Sequence, residues 1–518
     1  MKRFLRRYYP AVVAAVVLVW HARLFDFVTD DAYISFRYAR NLALHGQLVF
    51  NLGERVEGYT NFLWTVILAV GIKLGLGPVM LSRLLGVGFA IATLAVVVRM
   101  SLRLAGEERS RWHLVAPLVL AGMGAYACWA TGGLETHLFT FLVTLGCDRV
   151  LGEVEHGRGC GSAVAFACAA MTRPEGAMIF ALVAGFRLLT NLRRERRLAP
   201  RSFEWQWVAL FTALFVPYFL WRWRYYGWLF PNTFYVKSSG AGGTSALGAY
   251  YLRRFCEDYG VFFLLLLALV GRPDREDVRR RDLRLLAGIV CAAYAVYVIK
   301  VGGDFMGLYR FILPVVPLAV VVLAEASRRI FARLAPRLGP WPTGFALSVV
   351  AAGFLVGTVH TSRQAQGYVG ADNGIDMPAY LKHYAEERIP VGLWLRAHRG
   401  ADDFATFGGA GVIPYYSEIP GFDVFGLVDA TIAHDPRMTV GNRPGHQKWG
   451  SDEYMLARKP TLITHRYCLG PSCPVENGGA PPGYQWVRAT IATPGGGTSY
   501  NSLMKQRRRA FGPFPAVP

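Results

Sequence analysis

Apolar stretches recur through the first 360 residues, and the polar connectors between them alternate in character. The first stretch is 11–20, and others fall at about 80–98, 113–130, 137–152, 160–172, 176–190, 206–223, 259–271, 285–300, 311–326 and 342–360. Most approach the ~20 residues a helix needs to cross a bilayer. The connectors at 99–111, 149–158, 193–201, 272–284 and 328–337 are rich in arginine. Those between them carry Gly-Leu-Glu-Thr (133–136), Thr-Arg-Pro-Glu-Gly (172–176), and the segments 225–258 and 302–310. With about eleven spans and the N-terminus in the cytoplasm, every arginine-rich connector faces the cytoplasm, as the positive-inside rule requires. Lys2, Arg3, Arg6 and Arg7 precede the first stretch. No small-residue cleavage site follows it, so it reads as a retained span and not as a signal peptide.

One apolar segment has to lie outside this count. If 61–74 crossed the membrane, the connector 99–111 would fall on the outer face. It is therefore expected as a helix at the outer membrane surface, with Tyr59, Phe62 and Trp64 at headgroup level. From about residue 361 glycine and proline become frequent and no span-length run recurs. Short helix and strand patterns there predict a compact extracytoplasmic α/β domain, 361–518, after a transmembrane part, 1–360, whose first extracytoplasmic loop is 26–79. Cys468 and Cys473 lie in Cys-Leu-Gly-Pro-Ser-Cys, a spacing that closes a short disulfide loop in an oxidising compartment. The other cysteines fall in or near spans.

Composition sharpens the choice of partner. The chain has 56 Lys+Arg against 35 Asp+Glu, a net charge of +21, yet only 18% of its 518 residues are charged. An excess of that size suggests nucleic acid when it forms one basic face. Here it alternates connector by connector, so it marks topology, and no nucleic acid is expected as a partner. An aromatic content of 14% excludes disorder, and 8 cysteines exclude a disulfide scaffold.

The densest polar cluster follows the first span: Thr-Asp-Asp-Ala-Tyr-Ile-Ser-Phe-Arg-Tyr-Ala-Arg-Asn, residues 29–41. On a helix Asp30 aligns with Ile34, Arg37 and Asn41, and Asp31 with Ser35 and Tyr38. A carboxylate beside arginines at a membrane face suits deprotonation of a hydroxyl next to a phosphorylated lipid. The competing reading is a helix cap, although two adjacent acids exceed what a cap needs. Glu57 and Tyr59 stand at the mouth of the expected cavity as sugar contacts. Candidate phosphate ligands at outer span ends are Arg37, Arg173, Lys237 and Arg310, with Arg173 and Arg310 foremost because each sits in a motif between two spans. Glu135, Glu175 and Asp304 lie at the same face. They hold sugar hydroxyls or a divalent cation, or else cap helices and pair with arginines. Tyr415 either stacks on a sugar or packs a core. His434 and His446 have no metal-ligand spacing.

Several motifs together resemble a known family. These are Asp-Asp-Ala-Tyr-Ile-Ser-Phe-Arg-Tyr-Ala-Arg-Asn (30–41), Val-Glu-Gly-Tyr-Thr-Asn-Phe-Leu-Trp (56–64), Gly-Leu-Glu-Thr and Thr-Arg-Pro-Glu-Gly. Pro-Asn-Thr-Phe-Tyr-Val-Lys (231–237), Gly-Gly-Asp-Phe-Met (302–306), Gly-Ala-Gly-Val-Ile-Pro-Tyr-Tyr (409–416) and Phe-Gly-Leu-Val-Asp (425–429) follow in order. The set is similar to the terminal β-(1→2) arabinofuranosyltransferases of mycobacterial cell walls, membrane glycosyltransferases of the GT-C class that use polyprenyl-phosphate sugars. The resemblance implies a polytopic GT-C fold in a bacterial plasma membrane. It also implies transfer of a sugar, arabinofuranose by this likeness, to a hydroxyl of a cell-envelope glycan on the extracytoplasmic side. The implied base is Asp30 or Asp31; Asp30 is favoured as base with Asp31 in support. The alternatives are transfer of another sugar such as mannose, transfer to protein or lipid A, and a lipid-linked sugar flippase. A transporter should carry ionisable residues near the bilayer midplane, whereas the acids here gather at outer span ends.

Overall fold

The computed structural model describes residues 2–105, 111–196, 199–238, 244–260, 277–367, 371–372, 374–441, 445–466, 468–470, 479–492 and 498–506. The span expected at 259–271 falls mostly outside them. Among the described residues helices dominate up to Gly367: α1 (Lys2–Ala22), α2 (Asp30–His45), α3 (Phe62–Lys73), α4 (Pro78–Ala105), α5 (Val115–Gly122), α6 (Gly124–Trp129), α7 (Thr136–His156) and α8 (Gly161–Thr172). They continue with α9 (Glu175–Glu195), α10 (Ser202–Tyr226), α11 (Asn232–Ser238), α12 (Thr244–Asp258), α13 (Val278–Val301), α14 (Val316–Leu338) and α15 (Pro340–Gly367). Among the described residues α4, α9, α10 and α13 are long and apolar enough to cross a membrane, and α3 and α8 are shorter apolar helices. Trp205, Leu214, Leu220, Trp221 and Trp223 stand exposed on α10, the apolar surface that lipid accepts and water does not.

Two expectations need correcting at this level. The window 113–130 is not one helix: Met123 is extended (φ −69°, ψ 120°) and divides α5 from α6. The break sets α6 against α15, where His21 Nε2 on α1 meets Ser362 Oγ at 3.0 Å. Helix α3 does form, and its 12 residues cover only about 18 Å, too short for a ~30 Å hydrocarbon core. It does not place Trp64 or Tyr59 at headgroup level. Trp64 is 0% exposed because α3 is packed against α2, α4 and α8, and Tyr59, 4% exposed, packs against Tyr38 and Tyr226.

The helices share two ends. At one, Thr29 and Asp30 before and on α2, Glu135 before α7, Arg173 before α9 and Phe305 after α13 come together. At the other, the arginine-rich connectors are tied by ion pairs: Arg103 to Asp148 and Glu155, Arg279 to Glu155, Arg194 to Asp282, and Arg280 to Glu325. Between them, Glu153 on α7 takes Arg187 of α9 and Ser162 of α8, so a buried carboxylate is paired and hydrogen-bonded.

After α15 come β1 (Ala371–Asp372), β2 (Ile375–Asp376) and α16 (Pro378–His398). A six-stranded sheet follows, from β3 (Ala405–Phe407), β4 (Gly421–Asp423), β5 (Leu462–Ile463), β6 (Leu469–Gly470), β7 (Tyr484–Ala492) and β8 (Thr498–Gln506). Strand β3 runs parallel to both β4 and β5, and β8 is antiparallel to β5, β6 and β7. Val391 and Leu395 of α16 pack with Ala405, Phe407, Leu462, Ala489 and Ile491 of the sheet into a core of their own. Cys468 is disulfide-bonded, and its expected partner Cys473 lies outside the described residues.

Candidate active site

A cavity of about 440 Å³ opens where the first of these ends meets the sheet and α16. Asp30, Asp31, Tyr59, Glu135, Arg173, Lys237 and Arg310 all line it, although they come from segments up to 280 residues apart in sequence.

Helix α2 begins at Asp30 because Thr29 is extended (φ −74°, ψ 155°), and both acids stand in its first turn. The positive end of the helix favours them there. Asp30 is not left to cap its own helix. Its Oδ1 accepts the N–H of Val412, 2.8 Å away, from the segment between β3 and β4. A Cβ at Gly411 would overlap the carbonyl oxygen and carboxyl carbon of Asp30, so only glycine permits this approach. Burial raises the Asp30 carboxyl above the ordinary range, against the Val412 bond and the charge of Arg388. Asp31 looks the other way. Burial and then Asp30 push its carboxyl up to about 6, while Lys237 and Arg310 oppose the rise. Both carboxyls are thus held above the ordinary range, which makes either a better proton acceptor than an exposed carboxylate.

The cations differ in how far they are engaged. Arg173 pairs with Glu175 at 2.9 Å and Glu135 at 3.4 Å, and its guanidinium lies 4.8 Å over Phe311. Glu135 in turn accepts Asn61 Nδ2 at 2.8 Å, and Asn61 bonds Ser35 of α2. Arg310 donates to Asp304 at 2.7 Å and sits 5.3 Å over Trp129. Lys237, near the end of α11, is exposed to the cavity, where loss of water to the surrounding protein pushes its pKa down against the favourable charges of Asp31 and Asp304. The loop carrying Asp304 and Arg310 holds Leu308 and Tyr309 at φ +54° each, an unfavourable conformation for side-chain-bearing residues.

Five candidates from the sequence do not reach the cavity. Arg37 donates to Phe50 O (2.9 Å), Pro414 O (2.6 Å), Ile419 O (3.0 Å) and Asn51 Oδ1 (3.3 Å), so its guanidinium is spent on protein and not on phosphate. Glu57 is closed off by Arg222 at 2.8 and 2.9 Å. Glu175 accepts Tyr297 Oη at 2.9 Å besides Arg173, and Asp304 is held by Arg310. Tyr415 packs against Tyr33 (5.4 Å between centroids) under Arg40, which makes it core. For the acids named as cation ligands, the arginine pairs are what the geometry provides. Among the described residues, no three His, Cys, Asp or Glu side chains converge as metal ligands would.

Sequence reasoning missed Asp376, Tyr380 and Tyr384, which line the cavity from β2 and α16, and the backbone of Gly408 and Gly409. The one available signal was the glycine pair at 408–409, read only as loop composition.

A family profile described as "Domain of unknown function (DUF8728)" matches residues 379–505. The chain is 30% identical over 337 residues to the terminal beta-(1->2)-arabinofuranosyltransferase of Mycobacterium tuberculosis, covering 56% of this chain and 51% of that protein. It is 26% identical over 368 residues to the protein of the same name from Corynebacterium glutamicum, covering 61% and 51%. The chain thus spans about half the length of the curated relatives it matches. Among solved structures, ArnT from Cupriavidus metallidurans in the apo state is similar with a TM-score of 0.55 at 14% identity, covering 95% of this chain and 97% of that one. ArnT bound to undecaprenyl phosphate gives 0.53 at 15%, covering 80% and 85%. The archaeal oligosaccharyltransferase AglB from Archaeoglobus fulgidus, with an inhibitory peptide and a dolichol-phosphate, gives 0.52 at 11%, covering 80% and 64%. At such identities the likeness is one of fold, shared with ArnT and AglB. The resemblance read from the sequence motifs holds.

Proposed function

We propose that this protein is a membrane glycosyltransferase that moves a sugar, arabinofuranose, from a polyprenyl-phosphate donor to a hydroxyl of a cell-envelope glycan at the extracytoplasmic face. The observation that carries the reading is one cavity with adjacent carboxylates, Asp30 and Asp31, facing a group of three cations, Arg173, Lys237 and Arg310. The names of the curated relatives support the sugar, and the undecaprenyl phosphate in ArnT supports the donor class.

The chemistry follows from the charges. Asp30 takes the proton of the acceptor hydroxyl as that oxygen attacks the anomeric carbon. The bond from that carbon to the phosphate oxygen breaks, and the phosphate leaves with the electron pair, gaining one negative charge. Cations fixed in a dry site favour that gain, so the leaving group needs no general acid. This differs from glycoside hydrolysis, where a poor alkoxide leaving group needs a second, protonated carboxyl. A single displacement of this kind inverts the anomeric carbon. Asp31 sits beside the cations and supports their arrangement.

The test is transfer from a radiolabelled polyprenyl-phosphate arabinofuranose to an arabinofuranosyl acceptor. Asp30→Asn should lower kcat by about 10²-fold or more, the usual contribution of a general base, with donor KM within a few-fold. Lys237→Met should raise donor KM about tenfold. Full activity of Asp30→Asn removes the base assignment, and sugar movement without a glycosidic product replaces the transferase with a transporter.

A further inference from the structure

The two walls of the cavity have different chemistry. Among the described lining residues, every lysine and arginine (Arg173, Lys237, Arg310) comes from the chain before residue 311. The wall contributed after residue 375 includes Tyr380, Tyr384, Phe425 and His446 together with the acidic residue Asp376. Tyr380 and Tyr384 are one turn apart on α16, with ring centroids 6.1 Å apart. Arg388, a further turn along, lies 3.2 Å over the Tyr384 ring and fixes it, so Tyr384 offers the cavity its hydroxyl end. That hydroxyl and Asp30 Oδ2 border the same bare backbone: a Cβ on Gly409 would stand 3.5 Å from one and 3.3 Å from the other. His446 closes the far side, edge-on to Phe305 (5.0 Å) and Phe425 (4.7 Å). Gly408 and Gly409 follow β3, and Phe425 follows β4. The wall is therefore built at the carboxyl ends of two parallel strands, where open α/β sheets present their ligands.

Aromatic faces with a carboxylate suit a neutral polyhydroxylated ligand. The C–H face of a sugar ring buries apolar surface on a tyrosine, and its hydroxyls donate to the acid. We infer that this wall is the acceptor subsite and takes a neutral glycan of at least two sugar residues. The reacting hydroxyl lies between Asp30, Tyr384 and Gly409, and the preceding sugar lies on the ring of Tyr380. The inference rests on the transferase reading for the direction of the reaction, but the glycan site itself does not need turnover to be seen. It gives Asp30 a partner on the acceptor side and leaves Asp31 to the phosphate side, which matches their opposite neighbours.

The experiment uses the full chain in nanodiscs with two probes, an octyl arabinofuranoside and an octyl glycoside of an arabinofuranosyl disaccharide. Tyr380→Ala should raise acceptor KM at least tenfold for the disaccharide and less than threefold for the monosaccharide, with donor KM unchanged. Tyr380→Phe keeps the ring and should restore the disaccharide KM, which separates stacking from a folding defect. An unchanged disaccharide KM in Tyr380→Ala overturns the site while the transferase stands, and an equal rise in donor KM overturns it too. Saturation-transfer NMR of the disaccharide on Asp30→Asn protein without donor reads the same site independently of catalysis. Binding that Tyr380→Ala abolishes supports the subsite even if the wild type transfers nothing, a result that would sink the transferase reading alone. No contact between the disaccharide and the protein would overturn the subsite.

Discussion

At the scale of single residues, the site depends on a backbone approach that one methyl group would block. Gly411 lies against the carbonyl and carboxyl of Asp30, at the start of a helix whose position is fixed by its neighbours. Gly411→Ala should displace the carboxylate and lower kcat about 100-fold, at a stability cost of roughly 1–3 kcal/mol, the usual range for overpacking. Wild-type turnover in that variant would show that Asp30 does not need its Val412 bond. Asp31 makes a second prediction. Its carboxyl titrates near 6 with Asp30, Lys237, Arg310 and Asp304 as its charged neighbours. An arriving phosphodiester adds negative charge and raises that value further, so donor binding takes up a proton. Donor affinity should therefore rise as pH falls from 8 towards 6 and level off below, by about tenfold for each unit of rise. Measuring binding of a polyprenyl-phosphate sugar, which does not itself titrate there, should show this slope in the wild type and lose it in Asp31→Asn. The same slope in both would assign the proton elsewhere.

At the scale of elements, the sheet is docked on α2 by side chains that stand in for backbone. Asn51 Nδ2 donates to Gly421 O at 2.8 Å and its Oδ1 accepts Gly421 N at 3.2 Å, as a neighbouring strand would. Arg37 ties the same region to α2 through the carbonyls of Pro414 and Ile419. Arg37→Met keeps much of the volume but leaves buried carbonyls without donors, at a cost of about 3 kcal/mol. A lowered thermal midpoint and faster proteolysis near residues 399–402 are expected, and an unchanged midpoint would make the clamp dispensable. Arg37 also shows where sequence reading stops. Its place beside Asp30 and Asp31 was legible, because helical spacing is local. Its use was not, because the carbonyls it serves lie more than 370 residues away. For the same reason Asp30 and Asp31, Arg173, Lys237 and Arg310 could be named from motifs at span ends, while Tyr380 and Tyr384 could not. On α16 their spacing is that of any amphipathic helix, and only the docking of that helix turns them towards the cavity. The α5–α6 break is different: Gly122 and Gly124 flank Met123 and weaken the helix locally, a signal that the hydrophobic pattern alone does not weigh.

At the scale of the whole molecule, the charge that first suggests a nucleic-acid partner is distributed between two ends with different tasks. Arg103, Arg194, Arg279 and Arg280 lie at the end away from the cavity, each facing an acid. The arginines are partly exposed, and surface pairs add little stability, although Asp148 and Asp282 are themselves buried; orientation in the membrane accounts for why such pairs gather at one end. Arg173, Lys237 and Arg310 lie at the opposite end, lining the cavity beside carboxylates, where the proposed reaction would use them. Under the proposed orientation Glu195, exposed at the end of α9, is cytoplasmic, and His45, exposed at the end of α2, is on the outer side. Cysteine at either position can be read against the parent chain with a membrane-impermeant maleimide on intact cells. His45→Cys should label directly, and Glu195→Cys only after permeabilisation. If both label from outside, the arginine-rich connectors do not set the orientation, and the cavity does not face the envelope.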